Sequence, residues 1–147
     1  MTDRPTLDLA SYLPYLVNRL GNALVADMSA NALAQHGLTI DLWRVLAVLS
    51  ERGAQRQIDL VGMTSIDAST VSRLVTRLVR LGLATRERSA TSSREVVIDL
   101  TAKGRTLVGR IIPLALRLEQ RAAAGIPPKD LAVVKRALRR MFDNITG

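Results

Sequence analysis

The sequence predicts a mainly α chain with one small β-hairpin, and three observations predict it. Apolar residues recur at helical spacing through most of the 147 residues. After Gly82 the period changes from about 3.6 to 2, and the alternation holds on both sides of a small polar segment. Hydrophobic residues make up 48% of the chain but aromatics only 3%, a composition rich in Ala, Leu and Val that favours helix. The length fits one domain, or two small lobes sharing a core.

Residues 9–35 read as one long helix. Leu13, Leu16, Leu20 and Leu24 form its buried stripe, and Pro14 sets its regular start near Leu13. His36-Gly37 ends it. Thr39 caps a second helix with Leu42, Val45, Leu46 and Leu49 on one face, stopped by Gly53. Residues 55–63 form a short helix built on Ile58, Leu60 and Val61, and Thr64-Ser65-Ile66 is a turn. Asp67 is suited to cap the next helix, over 68–81, because its carboxylate accepts from first-turn amides. Val71, Leu74, Val75 and Leu78 are that helix's apolar stripe. Segments 84–88 and 95–100 are the strand candidates, and 89–93, all Ser, Thr or Ala, is the hairpin tip. Thr101 caps a further helix, which Pro113 kinks without ending it. Gly125-Ile126-Pro127-Pro128 breaks the chain before a last helix. There Leu131, Val134, Leu138, Met141 and Ile145 step by 3, 4, 3 and 4, a heptad seam.

Composition excludes several chemistries. The chain has no Cys and one His, so it holds no disulfide framework, no thiolate metal site and no multi-histidine site within one copy. It contains no Walker A, G-x-G-x-x-G or H-E-x-x-H run. Glu51, Glu87, Glu95 and Glu119 are scattered, and His36 lies at a helix end, where a cation is favoured without catalysis. The reading is a non-enzyme without a cofactor or metal. No uncharged apolar run approaches the ~18–20 residues of a membrane span. The N-terminus lacks a charged-then-apolar signal, so a cytoplasmic location is expected.

The formal charge is +8, and 18 of the 21 basic residues are arginine. Residues 1–35 carry a net −1, 36–66 a net 0, 67–105 a net +4 and 106–147 a net +5. Arginine grips phosphate or guanine with a planar fork. GC-rich codon usage would also raise its number, so position has to decide. Helix, turn, helix and hairpin follow one another, the order of a helix-turn-helix with a wing. The outward face of helix 68–81 holds Ser69, Arg73, Thr76, Arg77 and Arg80, with Ser72 alongside and no acid after Asp67. Arg73 and Arg77 with the hydroxyls Ser69, Thr70 and Ser72 are the candidates for base or nearby phosphate contacts, and Arg80 for phosphate. Its N-terminus adds a positive dipole end. Arg86, Arg88 and Arg94 lie in or beside the hairpin loop, and an arginine there can enter a narrow minor groove. Arg56 and Gln57, starting the preceding helix, are candidates for phosphate. An ordinary solvated amphipathic helix is the bland alternative, and the basic hairpin weakens it.

These segments resemble the MarR family of winged helix-turn-helix transcriptional regulators. Leu38-Thr39 through Trp43-Arg44-Val45-Leu46 is similar to the family's second helix. Ser69-Thr70-Val71-Ser72-Arg73-Leu74-Val75, Arg77-Leu78 and Gly82-Leu83 are similar to its recognition helix and exit. Arg94 with Leu100-Thr101-Ala102-Lys103-Gly104 resembles its wing arginine and following helix. The resemblance implies a bacterial homodimeric regulator of transcription, a repressor, that binds pseudo-palindromic double-stranded DNA. It also implies a division into an N-terminal dimerisation helix (1–36), the winged lobe (37–101) and C-terminal dimerisation helices (102–147). The heptad seam agrees with that pairing; burial against the chain's own first helix is the alternative. The family often binds small aromatic acids, so Tyr12, Tyr15, Arg19 and Trp43 are candidates for an effector pocket, against the simpler reading that the aromatics fill core. The family's wing usually carries an aspartate two residues before the arginine matching Arg94. Here that residue is Ser92, and a more mobile wing is expected. A basic protein–protein adaptor that keeps the fold without DNA is the alternative function.

Overall fold

The computed structural model describes residues 3–91 and 94–147. Pro14 loses nothing in a first turn, and α1 (Leu13–Met28) starts beside it. The helical path continues through a π-helical turn at Ser29–Leu33 and a 3-10 turn at Ala34–His36. Gly37 ends it at φ +69°, a conformation that costs glycine nothing. The expected single helix over 9–35 is thus three helical pieces, preceded by a separate 3-10 turn at Leu9–Ser11. The expected burial of its stripe is also corrected: Leu13, Leu16 and Leu20 are 42–55% exposed, because no described residue of the same unit covers that face.

Thr39 caps α2 (Ile40–Arg52), its hydroxyl accepting from the Leu42 amide at 3.3 Å. The helix buries the four residues expected of it, Leu42, Val45, Leu46 and Leu49. The short helix is shifted from its expected place. Gln55–Arg56 is a two-residue strand, β1, and α3 covers Gln57–Thr64. Of the three residues expected to build α3, Leu60 is buried whereas Ile58 is 74% exposed. Ser65 makes the turn at φ +58°, and α4 follows at Ala68–Arg80. Val71, Val75 and Leu78 are fully buried and Leu74 partly so.

The hairpin has the expected strands, β2 (Ala84–Arg88) and β3 (Val96–Leu100), antiparallel with Ala84 opposite Leu100 and Arg88 opposite Val96. β1 adds to the free edge of β3, with Arg56 opposite Val97, so the sheet order is β1-β3-β2. Ser92, with the expectation placed on it, lies outside the described residues. Thr101 opens α5 (Ala102–Ala122): its hydroxyl accepts from the Gly104 amide at 3.0 Å and donates to the Gly82 carbonyl at 2.6 Å. The helix runs on through Pro113. The proline pair starts α6 (Pro128–Thr146).

Two compact units result. The first ends at Ala115, and its core joins Leu42 and Leu46 of α2, Val75 and Leu78 of α4, Ile98 of β3 and Ile111 of α5. The second is Leu116–Gly147, where Lys135 pairs with Glu119 at 2.9 Å. α6 buries none of its residues. Among the described residues no helix is long and apolar enough to cross a membrane.

Candidate nucleic-acid interface

The buried stripe of α4 fixes which side faces out. Arg73, Arg77 and Arg80 are exposed, and with Ser72 and Thr76 they line a shallow concavity of about 410 Å³. Of the six residues expected on this face from spacing, these five are together on one surface; Ser69, at the head of the helix, does not line it.

The hydroxyls at the head of α4 are already engaged. The Asp67 carboxylate accepts from the Thr70 amide (2.9 Å), the Thr70 hydroxyl (2.6 Å) and the Ser69 hydroxyl (2.7 Å). The cap is therefore made as expected, and Thr70 and Ser69 hold the carboxyl well below the usual carboxylate range. A lowered folded value gives stability that is present above the unfolded value, 3.8, and is lost as the pH falls below it. Denaturant titrations of wild type and Asp67→Asn from about pH 7 to 2 should show a gap that is constant above about pH 5 and closes in acid. A gap independent of pH would remove the cap from the acid response.

The arginines divide by partner. Arg73 donates to the Thr70 hydroxyl at 3.2 Å and Arg77 to the Gly37 carbonyl at 3.3 Å, single bonds that leave most of each fork uncommitted. Arg86 reaches back from β2, donating to the Thr76 hydroxyl at 3.0 Å and the Ser72 carbonyl at 2.9 Å. It fastens the hairpin to α4. Thr76 in turn donates to the Ser72 carbonyl at 3.0 Å. Arg88 and Arg94 are exposed on the hairpin.

Arg56 is placed differently from the expectation. Its Nε and Nη2 donate to the two oxygens of Asp59 (2.7 and 3.1 Å), and its Nη1 donates to Glu95 at 3.0 Å. Both carboxylates, Asp59 first, push the guanidinium still further toward its charged form. Gln57 stands beside it, its Oε1 buried without a hydrogen-bond partner. Arg56, Gln57, Ile58, Arg94 and Glu95 share one open groove of about 440 Å³. Sequence reasoning missed Asp59 and Glu95 here. The Arg56/Asp59 spacing of three was visible, but the two-residue strand that brings Glu95 near was too short to show a period.

The effector candidates are scattered in exposure: Tyr12 is 43% exposed, Arg19 is exposed, and Tyr15 and Trp43 are half-buried. A cavity of about 410 Å³ is lined by a different set, His36, Leu81, Leu83, Lys103, Thr106, Leu107 and Arg110. Lys103 there donates to the Leu81 carbonyl at 3.0 Å. The seam residues of α6 face outward: Val134, Leu138 and Ile145 are 45, 43 and 85% exposed, and Leu131 and Met141 are half-buried.

Known proteins share both the sequence and the fold. The MarR family model matches residues 38–96, from just before α2 to the first residue of β3. The HTH-type transcriptional repressor Rv2887 of Mycobacterium tuberculosis is 28% identical over 129 residues, 88% of this chain and 92% of that protein. Bordetella bronchiseptica BpsR, whose DNA binding is regulated by 6-hydroxynicotinic acid, superposes with a TM-score of 0.85 at 28% identity, covering 95% of this chain and 99% of that one. A MarR family transcriptional regulator from Silicibacter pomeroyi superposes at 0.83 with 30% identity, covering 94% of this chain and 92% of that one. With the winged helix-turn-helix in place and a basic ridge outermost on its second helix, the chain belongs to the MarR family and is a DNA-binding transcriptional regulator rather than an enzyme or an adaptor.

Proposed function

We propose that two copies of the chain bind a pseudo-palindromic operator as a repressor, each copy setting α4 in one major groove and Arg94 in the flanking minor groove. The observation that carries this is the arginine concavity of α4, where three forks project over short hydroxyl side chains. The two recognition helices would enter successive major grooves about 34–36 Å apart. Arg73 and Arg77, with Ser72, are the base or nearby phosphate contacts. Arg80 holds phosphate. Arg86 supports from behind, and Arg88 lies along the wing. Such a protein works beside the chromosome, in the bacterial cytoplasm.

Exposed apolar surface supports the pairing. α1 presents Leu13, Leu16, Val17 and Leu20, and α6 presents Val134, Leu138, Phe142 and Ile145, all more than 40% exposed in one chain. A second copy covering both faces gives residues 1–36 and 102–147 their role as dimerisation helices around the lobe at 37–101.

Binding isotherms over a panel of duplexes at two salt concentrations test the contacts. Arg77→Ala should weaken some sequences more than others, by about 1–3 kcal/mol where the contact is bidentate to guanine. Arg80→Ala should weaken all alike and flatten the salt slope by about 0.9. Equal effects of the two changes on every duplex, with no change in slope, would defeat the assignment.

The regulating ligand we assign is a small aromatic acid, on the precedent of BpsR. The cavity beside α5 suits one, because Leu81, Leu83 and Leu107 offer apolar wall, and Lys103 and Arg110 offer charge to a carboxylate. Calorimetric titration of 6-hydroxynicotinate, a probe of that class, should show binding that Arg110→Ala weakens about tenfold or more, as for a lost charge-assisted hydrogen bond. Weakening by Arg19→Ala alone would instead move the ligand to the Tyr12, Tyr15, Arg19 and Trp43 site.

A further inference from the structure

We infer that Arg56 is not a phosphate contact but the positioning residue of the wing, strapping the tip end of the hairpin to the start of α3 through Glu95. The inference rests on the reading of Arg94 as a DNA contact.

Three observations carry it. The first is charge. All three sides of the Arg56 fork face carboxylate oxygens, two on Asp59 and one on Glu95. One guanidinium stands against two carboxylates, a net −1 that Arg94, lining the same groove, brings only to 0, so Arg56 offers a phosphate no excess positive charge. The second is register. Arg56 pairs with Val97 across the β1/β3 ladder, so Glu95, two residues before Val97, is the diagonal neighbour on the same side of the sheet. The bond from Arg56 to Glu95 joins residues 39 apart in sequence. The third is place. Glu95 is where the hairpin tip rejoins the sheet: its carbonyl accepts from the Ser89 amide at 2.8 Å, beyond the last paired residues Arg88 and Val96. Arg94 is the next residue outward. A strap at Glu95 sets where the arginine's backbone leaves the sheet.

The two roles make opposite forecasts for Glu95. If charge alone mattered, Glu95→Gln would remove an anion beside DNA and tighten binding. As half of a strap, it loosens the wing and weakens binding. The experiment compares wild type, Arg56→Gln, Glu95→Gln and the double variant, all full-length. Its probe is a duplex that the wild-type chain selects from a random pool. Each single change should weaken binding roughly three- to tenfold, and the double change should be no worse than either, the non-additivity of coupled neighbours. The salt slope should stay at its wild-type value, since no phosphate contact is lost. Tighter binding by Glu95→Gln, or a slope lowered by about 0.9 in Arg56→Gln alone, overturns the strap.

Amide exchange in the DNA-free protein reads the same strap without DNA. The Ser89 amide should exchange faster in both single variants. Unchanged exchange there overturns the inference whatever the DNA result. Faster exchange with unaltered affinity for a duplex that also ignores Arg94→Ala would leave the strap standing and refute the minor-groove role of Arg94 instead.

Discussion

Gly104→Ala should cost about 3 kcal/mol or more and lower the melting temperature by roughly 10 °C. A Cβ at this position falls inside the van der Waals shell of the Leu83 carbonyl oxygen and 3.3 Å from Leu100 Cδ2. The obstacle is backbone, not the movable end of a side chain. Leu83 is held on both sides: its amide donates to Leu78 at 2.9 Å, and its carbonyl accepts from the Thr101 amide at 3.0 Å. Relief requires α5 to back away from the exit of α4, which breaks the Thr101 cap and exposes Leu83 and Leu100, now 3 and 4% accessible. Helix propensity works the other way, since alanine in a helix interior gains up to about 1 kcal/mol over glycine. A rise in stability would mean that propensity wins and that the contact yields. Thermal unfolding followed by circular dichroism separates the two outcomes.

Leu138→Glu should convert the protein to a monomer and weaken operator binding by about 100-fold or more. Leu138 is central in the α6 seam, with Val134 and Leu131 before it and Met141 and Ile145 after it. The helix buries none of its residues within one chain, so the change costs little in the separate subunit. In a paired seam the same carboxylate would be desolvated without a partner. A dimer reading two half-sites gains about 10²- to 10⁴-fold over one module, and a monomer forfeits that factor. Val133 is 47% exposed but off the seam, so Val133→Glu controls for the added charge and should leave the dimer whole. Light scattering gives the mass, and a titration of the duplex gives the affinity. A dimeric Leu138→Glu protein would remove α6 from the interface.

Local signals made most of the fold legible. Thr39, Asp67 and Thr101 each announce a helix by a side chain that satisfies first-turn amides, and all three caps are made. The stripe on α4 and the alternation of β3 were plain because both bury against a core within the same chain. Elements with no such core were misread. The Leu13, Leu16 and Leu20 repeat has the spacing of a buried face but is exposed, because spacing says that a face wants cover and not what covers it. β1 is two residues long, shorter than any period can reveal. At the site, the residue types on α4 were readable and their engagements were not. Arg86 turning back from β2 to Thr76 of α4, and Arg56 meeting Glu95 across the sheet, join residues 10 and 39 apart, and no local pattern encodes such meetings.

Asp67 has a consequence for how α4 would sit on a duplex. The opening of a helix usually welcomes an anion, but here the chain's own carboxylate already fills that seat, and the neighbouring hydroxyl protons point at it. On a duplex the tip would therefore be insulated from the phosphates. Grip would fall to Arg73, Arg77 and Arg80, which step by four and three residues down the shaft. Selectivity should thus be uneven across each half-site: strict over the base pairs beneath the shaft and lax over those beneath the tip.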